Sequence, residues 1–214
     1  MTIGAEVAEA SLRRVRVVGK GRAGGAFATA LRTVGLDVDL IAGRGPVADA
    51  ADGVDLLLLC VPDAYVAAVA AAVDPSQAVV AHVAGSLTLD VVASHERRGS
   101  IHPLAALPDA ETGASRLLDG AEFAVAGRSD SLDTLRGVVT LLGGRAFEVP
   151  DEHRGGYHAA ACIASNHLVG LMGQVERVAA AAGVPFDAFV GLVRGTVDNV
   201  ATLGPTAALT GPAA

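Results

Sequence analysis

The amino-acid sequence predicts an α/β protein in which a doubly wound parallel β-sheet is followed by an all-helical C-terminal segment. From residue 14 to residue 150, short apolar runs with strand character alternate with helix-like runs, the order expected of a parallel sheet. Residues 54–61 (VDLLLLCV) are apolar at nearly every position, as in a strand that helices cover on both faces. After Pro150 the apolar residues recur at helical spacing, and no further strand is predicted.

The individual elements follow from these patterns and from the residues that bound them. Gly35 is of the residue type favoured just after the C-terminus of a helix, which ends the first helix. Pro62 opens the second helix, at a first-turn position where its missing N–H costs little. The predicted strands are residues 14–19, 36–42, 54–61, 77–83, 99–102, 121–127 and 145–149, and the predicted helices are residues 22–34, 62–73, 87–97, 132–142, 156–182 and 186–203.

Length and charge limit the kind of protein this can be. The 214 residues suit a sheet domain, residues 1–150, and a smaller helical domain, residues 151–214. The net charge of −7 argues against binding to nucleic acid or to an anionic membrane. No run of eighteen apolar residues is present, and the first thirteen residues lack the apolar block of a signal peptide. We therefore expect a soluble, cytoplasmic protein in which Cys60 and Cys162 are reduced.

Lysine is nearly absent from the chain. Fifteen of the sixteen basic residues are arginine, and the only lysine is Lys20. This composition excludes mechanisms that need a lysine elsewhere, such as a Schiff base or a lysine general acid in a pocket. It also excludes a lysine-rich tail that binds nucleic acid.

The strongest motif is a GxGxxG sequence between the first strand and the first helix. In such a turn the first glycine permits a tight bend, the second lets the backbone approach a pyrophosphate, and the third allows the helix to pack closely on the strand. The helix N-terminus adds free N–H groups and a partial positive charge. The pattern favours a dinucleotide-binding domain in residues 1–150 over a glycine-rich turn without a ligand. The residues of the motif are Gly19, Lys20, Gly21, Arg22, Ala23 and Gly24.

The end of the second strand bears on the choice between NAD and NADP. An acidic residue there would bind the ribose 2′-hydroxyl of NAD, whereas an arginine accommodates the 2′-phosphate of NADP. Asp39 lies inside the strand, too early to reach the ribose, while Arg44 follows the strand end. We therefore favour NADP over NAD, with Arg44 on the phosphate. Two alternatives to phosphate binding stay open. Arg44 could be a solvated surface residue, and the side chains of Lys20 and Arg22 could be exposed without binding a ligand.

The order of several motifs resembles a known group of proteins. Residues 14–212 contain, in sequence, VVGKGRAGGAFATAL, LLCVPD, VAGS, IHPLAALPD, YHAAACIASNHLVGL and ALTGP. In this respect the chain is similar to bacterial Rossmann-like proteins with a helical C-terminal domain of unknown function. That group is related to 6-phosphogluconate dehydrogenase, ketopantoate reductase, pyrroline-5-carboxylate reductase and deazaflavin-dependent NADP reductase. The resemblance implies a Rossmann-type sheet with the dinucleotide along its C-terminal edge.

The resemblance also implies roles for the segments after the third and fourth strands. Val61, Pro62, Gly85 and Ser86 are similar to segments that line the cofactor and nicotinamide site. Reactions of the superfamily are hydride transfers between a nicotinamide and a carbonyl, imine, alcohol or deazaflavin. The helical domain is expected to close the cleft and to form a homodimer contact. Since relatives continue past ALTGP, a truncated helical domain is expected here.

Three residues, His158, Asn166 and His102, are candidates for the remaining chemistry. In one branch of the superfamily a helix supplies a lysine and, four residues later, an asparagine, and alignment on Asn166 puts Cys162 at the lysine position. His158 lies four residues before Cys162, so His158, Cys162 and Asn166 are expected on one side of a helix. There His158 could supply a proton and Asn166 could hold a substrate oxygen. His102 ends the fifth strand, at the edge where parallel sheets bind ligands. Each could instead be structural, and Ser86 could cap a helix.

The leading hypothesis is an NADP-dependent oxidoreductase that transfers a hydride between nicotinamide and a small carbonyl, imine or similar substrate. One rival is a non-catalytic NAD(P)-binding module, such as a redox sensor or an assembly partner. Another is a structural α/β protein that has lost its ligand. No cluster of histidine and cysteine has the spacing of a metal site, so no metal is expected.

Overall fold

The computed structural model describes residues 12–210. Residues 1–11, which make up most of the segment assessed for a signal peptide, and residues 211–214, which include the end of the ALTGP motif, lie outside the described residues. The chain divides into two compact units, the first ending at Ala161 and the second beginning at Cys162. The division into a nucleotide-binding domain of residues 1–150 and a helical domain of residues 151–214 stays a prediction.

A seven-stranded sheet forms the frame of the first unit. Its strands are β1 (Arg14–Val18), β2 (Asp37–Ile41), β3 (Leu56–Leu59), β4 (Val79–His82), β5 (Arg98–Pro103), β6 (Glu122–Gly127) and β7 (Arg145–Glu148). They lie in the order β2-β1-β3-β4-β5-β6-β7, and all neighbours are parallel except β5 and β6. Because β1 to β5 run in one direction, their C-terminal ends meet at one edge, which we call the C-terminal edge.

Some helices connect the strands, and others come after the last strand in the sequence. The α-helices are α1 (Arg22–Thr33), α2 (Asp63–Ala71), α3 (Ala110–Leu118), α4 (Ser129–Leu141), α5 (Arg154–Cys162), α6 (Leu168–Ala181) and α7 (Asp187–Leu203). Short 3₁₀ turns are formed by Ala48–Ala51, Leu89–Val92 and Asp151–His153, and a π-helical segment by Ile163–His167.

Two apolar clusters lie on the two faces of the sheet, as alternate residues of β3 show. Leu56 and Leu58 belong to the cluster that includes α1, while Leu57 and Leu59 belong to the cluster that includes α2. All four side chains are fully buried. Burying one leucine contributes about 1.5–3 kcal/mol, so β3 is a central source of stability. The predicted fold class, a doubly wound α/β sheet followed by an all-helical segment, is confirmed.

The expectation of a wholly parallel sheet is wrong at one position, since β6 runs antiparallel to β5. The connecting helix α3 packs on α1, where a β-carbon on Gly113 would lie 2.7 Å from the β-carbon of Ala26. β6 then begins beside the end of β5, with the Leu104 N–H 2.8 Å from the Glu122 carbonyl oxygen. The chain therefore re-enters the sheet at the edge it has just left, which reverses the strand direction.

The predicted helix over residues 87–97 is also wrong, because only Leu89–Val92 form a 3₁₀ turn there. The chain leaves the helical path where His95 turns inward. The ring of His95 is buried, and its Nε2 lies 2.9 Å from the Ala70 carbonyl oxygen at the end of α2. This tertiary contact leaves no sign in the local pattern.

Helix α3 was not predicted. Its sequence lies just after Pro103 and Pro108, which indicate a loop. A sequence signal was nevertheless present, because Asp109 is a favourable N-cap residue. Its side chain accepts a hydrogen bond from the Thr112 N–H at 2.8 Å.

β4 ends in His82, whose side chain is fully buried. Burial, followed by the nearby charge of Arg154, lowers the pKa of His82 from 6.5 to about 4, against a smaller opposing effect of the Thr88 and Ala84 backbone. Both ring nitrogens nevertheless lack a partner of good hydrogen-bond geometry among residues 12–210. The imidazole is therefore neutral in the folded protein at neutral pH.

We expect the free energy of unfolding to fall as the pH is lowered from 7 to 5, because over this range only the unfolded chain binds a proton at His82. The depressed pKa of the folded state corresponds to a loss of about 2 kcal/mol at pH 5 from this residue. Urea unfolding at both pH values should show that His82→Asn removes this loss. His153→Asn, at an exposed histidine, should not remove it. An unchanged pH dependence in His82→Asn would contradict the assignment.

Candidate active site

The turn after β1 brings three segments of the chain into close contact. Gly19 has a φ of 118°, a conformation that favours glycine, and a β-carbon on it would lie 2.4 Å from the Cys60 carbonyl oxygen. The Gly19 N–H donates a hydrogen bond to the Ile41 carbonyl oxygen at 2.9 Å. The ends of β1 and β2 and the residue after β3 are thereby joined, and position 19 requires glycine for both conformation and space.

The other two glycines of the motif shape the start of α1. A β-carbon on Gly24 would lie 1.8 Å from the Gly19 carbonyl oxygen, so the helix packs directly on the turn. Gly21 is the N-cap of α1, and no described atom lies within 4 Å of its β-carbon position. No described atom therefore crowds this side of the α1 start, and helix N-termini carry free N–H groups that can bind phosphates.

The end of β2 lies beside this turn. A β-carbon on Gly43 would lie 2.5 Å from Val61 Cγ1 and 3.6 Å from Gly19 Cα. Three exposed cationic residues lie on the segments that form the turn, and a dinucleotide phosphate could bind them. They are Lys20, Arg22 and Arg44.

A second group of polar side chains lies at the same edge of the sheet, after β4 and at the end of β5. A β-carbon on Gly85 would lie 2.5 Å from Nδ1 of His158 and 2.9 Å from both Cε1 and Nε2 of His102. The two imidazole rings meet edge to face with centroids 6.1 Å apart. The structure thus brings together three predicted site residues, and only a glycine at position 85 leaves room for both rings.

Tyr157, the neighbour of His158 on α5, holds His102 from the other side. Its hydroxyl oxygen lies 2.6 Å from Nδ1 of His102, a hydrogen-bond distance. The two rings meet edge to face with centroids 5.6 Å apart. Nδ1 of His102 therefore faces a phenol, while the Cε1–Nε2 edge of the ring packs against Gly85.

Arg154, one turn earlier on α5, is fully buried and ties this helix to the sheet. Its guanidinium donates hydrogen bonds to the Ala84 carbonyl oxygen at 3.2 Å and to the Ser100 hydroxyl of β5. Its Nε lies 3.7 Å from Oδ1 of Asp151, and Oδ2 of that carboxylate accepts the Leu89 N–H at 3.1 Å. The start of α5 is thus fastened to the segments that follow β4.

Burial decides the protonation states in this group. It lowers the pKa of His102 to about 4, with further lowering from His158 and Arg154 and a smaller opposing effect from Asp63. It raises the pKa of Tyr157 to about 12, which the charge of Arg154 opposes. At neutral pH both side chains are uncharged, so His102 is not an imidazolium.

The segments after β3 and β4 are linked by a side-chain hydrogen bond. The Ser86 hydroxyl donates a hydrogen bond to Oδ2 of Asp63 at 3.2 Å. Asp63 is in the first turn of α2, directly after the exposed Pro62. The assignment of Val61, Pro62, Gly85 and Ser86 to a cofactor site stays a prediction.

Asn166 belongs to the second unit. The predicted continuous α-helix over residues 156–182 is interrupted by the π-helical segment Ile163–His167. The α-helical spacing expected between Cys162 and Asn166 is therefore wrong, because a π-helix has a wider turn. The Asn166 side chain is exposed, and its role stays a prediction.

Sequence reasoning missed Tyr157, Arg154 and Asp151. The available signals were a tyrosine adjacent to a candidate histidine and an Asp-x-x-Arg spacing at the start of a helix. Neither signal indicates that this helix face reaches the ends of β4 and β5. That contact joins residues far apart in sequence.

Two shallow cavities of about 230 and 240 Å³ lie at the opposite edge of the sheet, and one is lined by Arg97 and Asp130, which pair with each other at 2.8 Å. Within residues 12–210, no three histidine, cysteine or acidic side chains are grouped as metal ligands would be. No helix in that range combines the length and apolar character needed to cross a membrane.

The doubly wound sheet and its glycine turn define a Rossmann-like protein. Residues 121–214 match the family model described as Domain of unknown function (DUF2520). This match begins at β6 and covers less than half of the chain. No curated protein sequence matches the chain.

Several solved structures share the fold. A provisionally assigned NADP oxidoreductase from Bacteroides fragilis has a TM-score of 0.79 at 19% identity, over 96% of this chain and 86% of that chain. A protein from Thermotoga maritima has a TM-score of 0.73 at 24% identity, over 92% and 83% of the two chains. An NADH-preferring ketol-acid reductoisomerase from an uncultured archaeon has a TM-score of 0.72 at 17% identity, over 98% and 75%. The predicted relation to Rossmann-like oxidoreductases is confirmed at the level of the fold.

We expect the three glycines of the motif to respond differently to alanine. In Gly19→Ala and Gly24→Ala the new β-carbon meets a backbone oxygen, so each should lower the free energy of unfolding by about 3 kcal/mol. Gly21→Ala meets nothing and changes only the N-cap, which should cost about 1 kcal/mol or less. Urea unfolding of the three variants measures the difference, and equal losses in all three would contradict this account of the turn.

Proposed function

We propose that this protein is an NADP-dependent oxidoreductase that transfers a hydride between nicotinamide and a small carbonyl, imine or similar substrate. The observation that carries the proposal is the presence of two features at one edge of the sheet. One is the open helix start above Gly21, which suits phosphates. The other is the His102–Tyr157 pair at the end of β5, which suits proton transfer.

The glycine turn supports the binding of a dinucleotide. Gly19 and Gly24 shape the turn, and the open backbone at Gly21 can approach a pyrophosphate. The segments with Val61, Pro62, Gly85 and Ser86 continue along the C-terminal edge from this turn towards His102, and Ala23 is the second residue of α1. When bound there, the dinucleotide supplies the hydride.

The residues around β2 support NADP over NAD. Asp39 forms an ion pair with Arg16, with Oδ2 and Nη2 3.2 Å apart, inside the strand region and not at its end. Residues 42–46, which follow the strand, contain Arg44 and no acidic residue. The similar structures include both an NADP oxidoreductase and an NADH-preferring enzyme, so the proposal depends on Arg44 and not on the fold.

Reduction of a carbonyl or imine also requires a proton for the substrate oxygen or nitrogen. His102 and His158 both pack against Gly85 at the C-terminal edge, which supports them as the candidate donors. Asn166 is the candidate for holding a substrate oxygen. The chain has no lysine outside the glycine turn, so the proton comes from a different group than the lysine that one branch of the superfamily has at the position of Cys162.

We further propose a homodimer that forms through the helical segment, in a cytoplasmic protein. Support comes from the large apolar side chains exposed on the helices of the second unit, since exposed apolar patches are typical of interaction surfaces. These side chains are Ile163, Val169, Leu171, Val178, Leu192 and Leu203.

Binding of the cofactor is the first test. NADPH at about 100 times its Kd should stabilise the folded protein by about 2.7 kcal/mol, which thermal unfolding detects as a raised Tm. ATP, which lacks the nicotinamide, serves as the control nucleotide. If neither NADPH nor NADH raises the Tm at millimolar concentration, the proposed function is wrong. NADPH binding without turnover of any carbonyl or imine would instead favour the non-catalytic module.

The cofactor preference is tested at Arg44. We expect Arg44→Asp to weaken NADPH binding by about 1–3 kcal/mol and NADH binding far less, because the charge-assisted contact to the 2′-phosphate is lost. Arg128→Asp is a matched control with the same change of charge, at an exposed residue that follows β6 at the opposite edge of the sheet. Calorimetric titration gives each Kd, and equal losses for the two cofactors would exclude Arg44 as the phosphate ligand.

A further inference from the structure

We propose that Tyr157 and His102 form a proton relay, in which His102 gives the hydrogen on Nε2 to the substrate while Nδ1 takes the phenolic proton of Tyr157. This inference rests on the proposed function and adds to it the route by which the proton arrives.

The geometry gives the two ring nitrogens of His102 different surroundings. Within residues 12–210, Nδ1 of His102 is the hydrogen-bond partner of the Tyr157 hydroxyl, at 2.6 Å. Nε2 and Cε1 each lie 2.9 Å from the position that a β-carbon on Gly85 would take, so this edge of the ring packs against Gly85. A neutral imidazole carries one hydrogen and one acceptor nitrogen. If the phenol donates to Nδ1, the hydrogen lies on Nε2, which is then the ring nitrogen that can donate to a substrate.

A neutral histidine needs this second group in order to donate. Burial holds the pKa of His102 near 4, so the doubly protonated ring is scarce at neutral pH. A neutral ring that lost its Nε2 proton alone would become an anion in a buried site, which is costly. Protonation of Nδ1 by Tyr157 at the same time keeps the ring neutral. The Nε2–H and phenolic O–H bonds break, while a bond from hydrogen to the substrate heteroatom and an Nδ1–H bond form.

The step leaves a phenolate on Tyr157, and the structure contains a group that favours it. The buried guanidinium of Arg154 opposes the rise in the pKa of Tyr157 that burial causes. The tyrosine is only partly buried, so the site is within reach of solvent. When the product leaves, Nε2 takes a proton from water and the Nδ1 proton returns to the phenolate. One solvent proton is consumed in each cycle, and the starting tautomer is restored.

Charged and titratable groups from three elements face His102. Arg154 and His158 on α5 and His82 on β4 disfavour a positive charge on the ring, while Asp63 on α2 favours it. Arg154 is held in place by Ser100 and by the Ala84 carbonyl oxygen. Its fixed charge thus acts on both members of the relay, keeping the imidazole neutral and stabilising the phenolate.

The tautomer of His102 is the first test, and it requires neither cofactor nor substrate. Nitrogen-15 NMR of the full chain at neutral pH, with His102→Asn for assignment, should show Nε2 protonated and Nδ1 as a hydrogen-bonded acceptor. In Tyr157→Phe the Nδ1 resonance should move to the value of an acceptor without a hydrogen bond. Tyr65→Phe, at the other tyrosine of the chain, which is 60% exposed, should leave it unchanged. A wild-type ring protonated on Nδ1 would overturn the relay.

Turnover is the second test, with NADPH and 1-pyrroline, a small cyclic imine, alongside a panel of small ketones. Tyr157→Phe should lower kcat by about 100-fold, with KM and the Kd for NADPH nearly unchanged and with a changed solvent isotope effect. The double variant with His102→Asn should be no slower than the slower single variant, because both act in one step. Additive losses, or a kcat in Tyr157→Phe equal to that of Tyr65→Phe, would overturn the relay.

The two tests separate the failure of this inference from that of the proposed function. Loss of NADPH binding in the wild-type protein would contradict the proposed function, whatever the tautomer of His102. Binding and turnover together with an Nδ1-protonated ring would contradict the relay alone. Without turnover of any probe, the NMR result by itself decides whether Tyr157 donates to His102.

Discussion

The close packing of the turn after β1 is the constraint on which the candidate site depends. At Gly19 and Gly24 the backbones of β1, α1 and the residue after β3 approach so closely that a single added carbon would overlap a carbonyl oxygen. This packing fixes the direction in which α1 leaves the sheet. It also leaves the start of α1 open at Gly21, so the same geometry that excludes side chains at two positions makes room for a ligand at the third. The charged residues around the turn matter only because this frame presents them there.

A second constraint is electrostatic and comes from the burial of Arg154. A guanidinium without solvent must be held by protein oxygens, and here Ala84, Ser100 and Asp151 provide them. Its position beside two histidines and a tyrosine makes the uncharged states of the imidazoles more favourable. The same buried cation thus fastens α5 to the sheet and determines which proton transfers are accessible at the C-terminal edge.

Local sequence patterns predicted most of the fold, and they failed where distant contacts decide the backbone. β3 was evident because a strand covered on both faces must be apolar throughout. The segment 87–97 does not form its predicted helix, since His95 packs against the end of α2, and β6 is antiparallel because the chain re-enters the sheet beside the end of β5. At the site, His102 and His158 were identified by residue type and by position at element ends. Tyr157 was not, because its importance lies in a 2.6 Å contact across the sheet edge.

The sequence by itself determined the α/β class, the glycine turn with its requirement for residues without side chains, and the absence of a lysine outside that turn. These follow from local sterics, from hydrophobic period and from composition, which need no knowledge of distant neighbours. Only the tertiary structure decided that Gly85, His102, Tyr157 and His158 share one place, and that burial, assisted by the charges of His158 and Arg154, keeps the imidazole of His102 neutral. Protonation states depend on burial and on charges brought together from separate elements, and folding alone creates both.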